Sequence, residues 1–144
     1  MTPQQLKKAL IQSGLEVYRT LGDEIVLADR PRENLILDSG VRVRTPLNGT
    51  FRLRLILRAE QSSFSGDEPA QLFERARALA TAAIARGFAE LGTQVAPMRD
   101  PADAARVLDT FYEVIYTREV TSIEEACAEA RFALGVEKSA STGR

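Results

Sequence analysis

The sequence predicts an α+β domain, a mostly antiparallel sheet with one long helix packed on one face and flanking terminal helices. Three observations carry this. Residues Thr50–Gln61 alternate with the period of a strand, Phe51, Leu53, Leu55, Leu57 and Ala59 on one side and Arg52, Arg54, Ile56, Arg58 and Glu60 on the other. Residues Leu72–Ile84 repeat apolar side chains at helical spacing. Capping boxes, Thr2-x-x-Gln5 and Ser122-x-x-Glu125, open a helix near each end.

The elements follow in order. Thr2 caps the first helix, Pro3 suits its first position, Leu6, Ala9 and Leu10 form its apolar stripe, and Gly14 stops it. Leu15–Leu21 and Glu24–Ala28 flank a Gly22-Asp23 turn and read as a hairpin. Asp29–Glu33 reads as a polar loop, because Pro31 lacks a ladder donor. Asn34–Asp38 is a short apolar run, Ser39-Gly40 a bend or bulge, Val41–Arg44 a further alternating stretch, and Pro46–Gly49 a turn. After the long strand comes a serine-rich loop, Gln61–Gly66, then a central helix capped by Asp67, with Pro69 in its first turn and Gly87 at its end. Phe88–Val95 reads as a strand interrupted at Gly92, and Pro97–Asp103 as a loop.

Residues 104–118 admit two readings. As a helix, Ala104, Val107, Leu108, Phe111 and Ile115 line up. As a strand, Tyr112, Val114, Tyr116 and Val120 share a face. The density of β-branched and aromatic residues in Thr110–Thr117 favours the strand, which also gives Thr50–Gln61 a partner of matching length. In the last helix Ile123, Ala126, Cys127, Ala130 and Leu134 form the buried stripe, with Gly135 as its stop. Residues 1–136 then make a single domain and 137–144 a flexible polar tail. The predicted core sets Phe51, Leu53, Leu55 and Leu57 against Leu72, Phe73, Leu79 and Ile84.

Composition narrows the function. A chain of 144 residues with 44% hydrophobic and 27% charged residues supports one core without staples. The net charge of −1 supplies no global field toward nucleic acid or membrane. With no apolar run near the ~20 residues of a membrane span, no secretory leader pattern and a single cysteine, a cytoplasmic protein, or one built into a virion or phage-like particle, is expected.

Chemistry has few carriers. Zero histidines and one cysteine leave zinc without a ligand set, so no metal and no cofactor is expected. Asp100 and Asp103 lack the spacing of a calcium loop. Cys127 lies on an apolar stripe with no histidine to act as its base, so packing outweighs nucleophilic catalysis. Glu124 and Glu125 complement the dipole of a helix N-terminus and point in different directions, so they do not form a catalytic dyad. No phosphate-binding glycine motif occurs. A non-enzymatic role follows as the expectation.

The arginines are the positive signal. If Val41–Arg44 pairs antiparallel with the long strand so that Thr45 opposes Phe51, Val43 faces Leu53 and Val41 faces Leu55. Arg44 then meets Arg52, Arg42 meets Arg54, and Asp38 reaches Arg58 unless Ser39-Gly40 shifts the register. Opposed like charges destabilise a sheet by some tenths of a kcal/mol, so something must offset them. Candidates are Glu16, Glu24 or Glu113 within the chain, a partner's acidic surface, or phosphate. Arg42, Arg44, Arg52, Arg54 and Arg58 are therefore the candidate partner-binding residues, with the loops at 29–34 and 61–67 beside them. No aromatic residues interleave with the arginines, which argues against nucleic acid. Tyr112 and Tyr116 serve as core packing or, less favourably, at an interface.

The stretch Phe51-Arg52-Leu53-Arg54-Leu55-Ile56-Leu57 followed by Leu72–Ile84, and closed by Leu108-Asp109-Thr110-Phe111-Tyr112-Glu113-Val114-Ile115-Tyr116, resembles the middle and last strand of phage tail terminator or tail-completion proteins. The likeness spans about residues 3–120 and rests on element order and strand texture. It implies a structural protein that assembles into a homo-oligomeric ring, commonly a hexamer. The same order, with its closing helix, is similar to type III secretion chaperones. That likeness implies a small acidic dimer that binds an extended protein segment.

Overall fold

Six strands pair antiparallel into one sheet, and the helices lie on one of its faces. A computed structural model describes the backbone of residues 1–142 and the side chains of residues 1–140. The chain runs α1 (Pro3–Gln12), β1 (Val17–Leu21), β2 (Glu24–Arg32), β3 (Leu35–Leu47), β4 (Thr50–Glu60), a 3-10 turn (Gln61–Ser63), α2 (Pro69–Ala78), α3 (Thr81–Ala85), β5 (Ala89–Asp100), β6 (Asp103–Val120) and α4 (Ile123–Thr142). The strand order is β1-β2-β3-β4-β6-β5. This is the α+β architecture that the periodicities predict.

Local chemistry accounts for the joints. The Thr2–Gln5 capping box forms as expected. Gly22 alone takes positive φ (61°) in the β1–β2 turn, which suits a type II′ hairpin. Asn48 (53°) and Gly49 (81°) both take it in the β3–β4 turn, as a type I′ hairpin requires. Pro46 and Leu47 thus belong to β3, and Leu47 opposes Thr50. One extra residue on β3 beyond Arg44 restores the register in which Arg44 opposes Arg52 and Arg42 opposes Arg54.

At Ser39-Gly40 β3 bulges. From Val26 to Ala28 the β2 chain advances two residues, while their partners run from Arg42 back to Asp38, four residues. The bulge is held by its own side chains. Ser39 Oγ donates to the Leu27 carbonyl at 2.7 Å and accepts from the Val41 amide at 3.1 Å, and Asp38 accepts from the Gly40 amide at 2.8 Å. Pairing of β3 with β4 ends at Val41–Leu55, so the outer part of the β2–β3 hairpin leaves the sheet. There Asp29–Arg32 continues as strand, not as the expected loop, to a turn at Glu33-Asn34. Pro31 falls where the register is irregular and its missing amide removes no regular ladder bond.

The leucine face holds the core. Leu53, Leu55, Leu57, Val41, Val43, Ile25 and Leu27 pack under Leu6 and Leu10 of α1 and the alanines of α4. The central helix is not one piece, as its spacing suggests. Around Leu79-Ala80 the amides bond three residues back, and that tighter turn re-aims the chain. Ala80 and Ala83 are buried, and Ile84, expected in the core, is 56% exposed. Glu68 occupies the N-cap, its amide bonded to Gln71, and Asp67 pairs with Arg75.

Residues 103–120 form one long strand, with Tyr112, Val114, Tyr116 and Val120 buried together on the helix side. The strand β5 runs through Pro97 to Asp100 where a loop was expected, because edge position tolerates proline. In α4, Gly135 does not stop the helix. Val136 and Ala140 pack onto the core, which outweighs the ~1 kcal/mol propensity cost of glycine. Helix therefore replaces the expected tail through Thr142, and residues 143–144 lie outside the described residues.

Candidate functional site: an arginine block on the open sheet face

Alternation along β3 and β4 sends Val41, Val43, Leu53 and Leu55 to the helices and Arg42, Arg44, Arg52 and Arg54 to the opposite face. The pairings build two rows across four strands. One reads Glu24, Arg44, Arg52, Glu119, and the next Val26, Arg42, Arg54, Thr117. Four arginines therefore form a two-by-two block with carboxylates at the ends of one row.

The block is half-buried. Val26 is 0% exposed although it lies outside the leucine core, and it is paired with Arg19 on one side and Arg42 on the other. Arg44 is only 9% exposed and its Nε reaches the Thr45 carbonyl at 3.4 Å. Arg54 stands 3.8 Å from Glu24 and Arg42 stands 3.6 Å from Asp38. Both distances make ion pairs but exceed hydrogen-bond length. The Nε atoms of Arg42, Arg52 and Arg54 are buried without an acceptor among the described residues.

Arg58 stands apart from the other four. The Ile56–Ile115 row separates it from the block, and it lies opposite Glu113. Its guanidinium sits 4.4 Å from the Phe111 ring centre and 3.9 Å from Glu60. Asp38 does not take the place expected for it opposite Arg58, because the Ser39-Gly40 bulge moves it to pair with Ala28. Where β3 leaves β4, Asp38, Arg42, Arg58, Gln94, Glu113 and, from α4, Glu137 line a cleft of about 130 Å³. Glu113, 8% exposed, accepts from Gln94 there at 2.8 Å.

Of the three carboxylates read as offsets, Glu24 serves the block. Glu16 pairs instead with Arg30 at 2.6 Å, and that hydrogen bond holds its carboxyl below the usual range. Glu119, opposite Arg52, was not foreseen, since it needs the β4–β6 register. Of the flanking loops, 61–67 begins with the 3-10 turn tied to β6. Asp109 accepts from the Ser62 hydroxyl at 2.6 Å and from its amide at 3.1 Å.

The remaining candidates have structural places. Tyr112 meets Phe73 edge-on at 5.3 Å, and Tyr116 is 1% exposed. Burial, then the charge of Glu90, pushes the Tyr116 phenol up. Cys127 is buried in the core, and Glu125 completes the cap of α4 through Ser122. Asp100 and Asp103 accept from the amides of Ala102 and Ala105 at the β5–β6 turn. No helix among the described residues is long and apolar enough to cross a membrane.

Comparison of the chain with protein-family models, curated proteins and solved structures finds no match.

Proposed function

We propose that this chain is a non-enzymatic assembly subunit, resembling a phage or phage-like tail terminator, that works by forming an oligomeric ring through protein contacts. The observation that supports it most is the arginine block, four half-buried side chains on the sheet face away from the helices, whose ion pairs with Asp38 and Glu24 at 3.6 and 3.8 Å exceed hydrogen-bond length. A partner surface bearing carboxylates or carbonyls offers such guanidiniums charge-assisted hydrogen bonds. Size-exclusion chromatography with light scattering tests the reading. A ring-sized oligomer is expected, and a strict monomer at high concentration that also fails to join tail tubes defeats it.

The free edge of β5 supports a second reading, a secretion-chaperone-like or adaptor module that adds an extended segment as a seventh strand. It predicts a dimer with a co-purifying partner peptide. Its check is binding of that peptide, weakened by charge reversal at Arg52 and Arg54 if the segment is acidic.

A further inference from the structure

The β5–β6 hairpin outruns the sheet. Pairing of β6 with β4 begins only at Phe111, opposite Glu60, so Pro97–Asp100 and Asp103–Thr110 project beyond it as a two-stranded ribbon. The 61–66 loop flanks only its base, and Met98, Val107 and Leu108 are 42–45% exposed along it. A two-stranded ribbon alone is marginally stable in water and needs a surface to lie on.

The same chain carries a surface that needs covering. The ribbon holds Asp100, Asp103 and Asp109 against Arg99 and Arg106, an acidic excess of one. The open face holds six arginines, Arg19 and Arg58 joining the block, against Glu24, Asp38, Glu60, Glu113 and Glu119, a basic excess of one, with five of the six arginines gathered on the β1–β4 side of the Ile56–Ile115 row. The apolar side chains of the ribbon match the arginine stems and the half-buried Ile56 and Ile115. Its carboxylates and unpaired edge carbonyls match the guanidinium charges of the block. Within one molecule the pairing strands carry the ribbon past the end of β4, away from the Arg44–Arg52 row near the other end.

Building on the assembly reading, we infer that the β5–β6 ribbon of one copy docks on the arginine face of the next. Such a contact joins two different patches, so it repeats head to tail and closes into a ring when its rotation allows.

Sedimentation velocity on the whole chain tests it. Met98→Glu and Val107→Glu change exposed ribbon positions and leave the core untouched. Arg52→Glu changes the face, and Asp100→Lys/Asp103→Lys reverses the ribbon tip. Each is expected to weaken self-association about tenfold or more while circular dichroism stays native. Mixing the Arg52→Glu chain with the Asp100→Lys/Asp103→Lys chain is expected to restore association, because the reversed charges meet again. If the native chain self-associates and every one of these variants stays within about twofold of it, the ribbon contact is wrong and the assembly reading stands. If the native chain is monomeric throughout, both fall.

Discussion

Replacing Gly40 by alanine tests the account of the bulge that parts β3 from β4. Gly40 has φ +81°, where a side chain costs ~1–2 kcal/mol. An added Cβ also meets the Ile56 carbonyl oxygen at 3.0 Å and Ile56 Cβ at 3.4 Å. Ile56 pairs with Ile115 of β6 and lies next to Leu55, the last β4 residue paired with β3, so its backbone carbonyl yields less readily than the end of a flexible side chain would. Overpacking of that kind costs ~1–3 kcal/mol, and the stiffer unfolded chain returns ~0.4–1 kcal/mol. The net loss is about 3 kcal/mol. Gly22→Ala is the control, since Gly22 also has positive φ (61°) but nothing stands within 4 Å of its added Cβ. It should lose only about 1 kcal/mol. Urea unfolding followed by circular dichroism measures both. In a thermal melt the Gly40 variant should fall by about 10 °C and the control by about 3 °C. Equal losses at the two sites would refute the claim that contact with Ile56 constrains residue 40.

Three further outcomes are expected. Ser39→Ala leaves the Val41 amide and the Leu27 carbonyl without their side-chain partner, and should cost about 1–3 kcal/mol in urea unfolding. Glu129, 6% exposed, stands 3.0 Å from Arg86 and 2.7 Å from Arg118, and Glu129→Gln should cost about 2 kcal/mol, less than a fully buried triad because Arg86 is half-exposed. Burial pushes the Asp109 carboxyl up, but hydrogen bonds from Ser62 and Thr110 and the charge of Arg58 outweigh it and hold it below its ordinary value. Its contribution is thus present above the unfolded pKa and is lost as pH falls through the folded one. Asp109→Asn should lower stability at neutral pH and flatten the acid limb of a stability–pH curve; an unchanged limb would count against this linkage.

Much of this was legible because period-two alternation is rigid. Once Val41 and Val43 must face Leu55 and Leu53, the opposition of Arg42 to Arg54 and of Arg44 to Arg52 follows without coordinates. Gly40 was readable as a bulge from the break in alternation, but the two-residue shift that removes Asp38 from Arg58 was not. Pro31 and Pro97 misled for a common reason. Proline forbids a central ladder, whereas both residues lie where the sheet gives way to hairpins or an edge. Gly135 misled because propensity is local, while the packing of Ala140 that carries α4 onward is tertiary. The ends of the arginine rows, Glu24 and Glu119, come from strands whose partners only the fold decides.

The helix α4 turns Ala126, Ala130, Ala133 and Ala140 toward the strands beneath it, and all four are buried. Methyl groups are the shortest spacers a helix can rest on, so its axis settles low and leaves no slack for a longer side chain. Tolerance along that seam is one-sided. Trimming to glycine leaves a small void, whereas growing to valine must jack the whole rod away from its seat and disturb every neighbour along it.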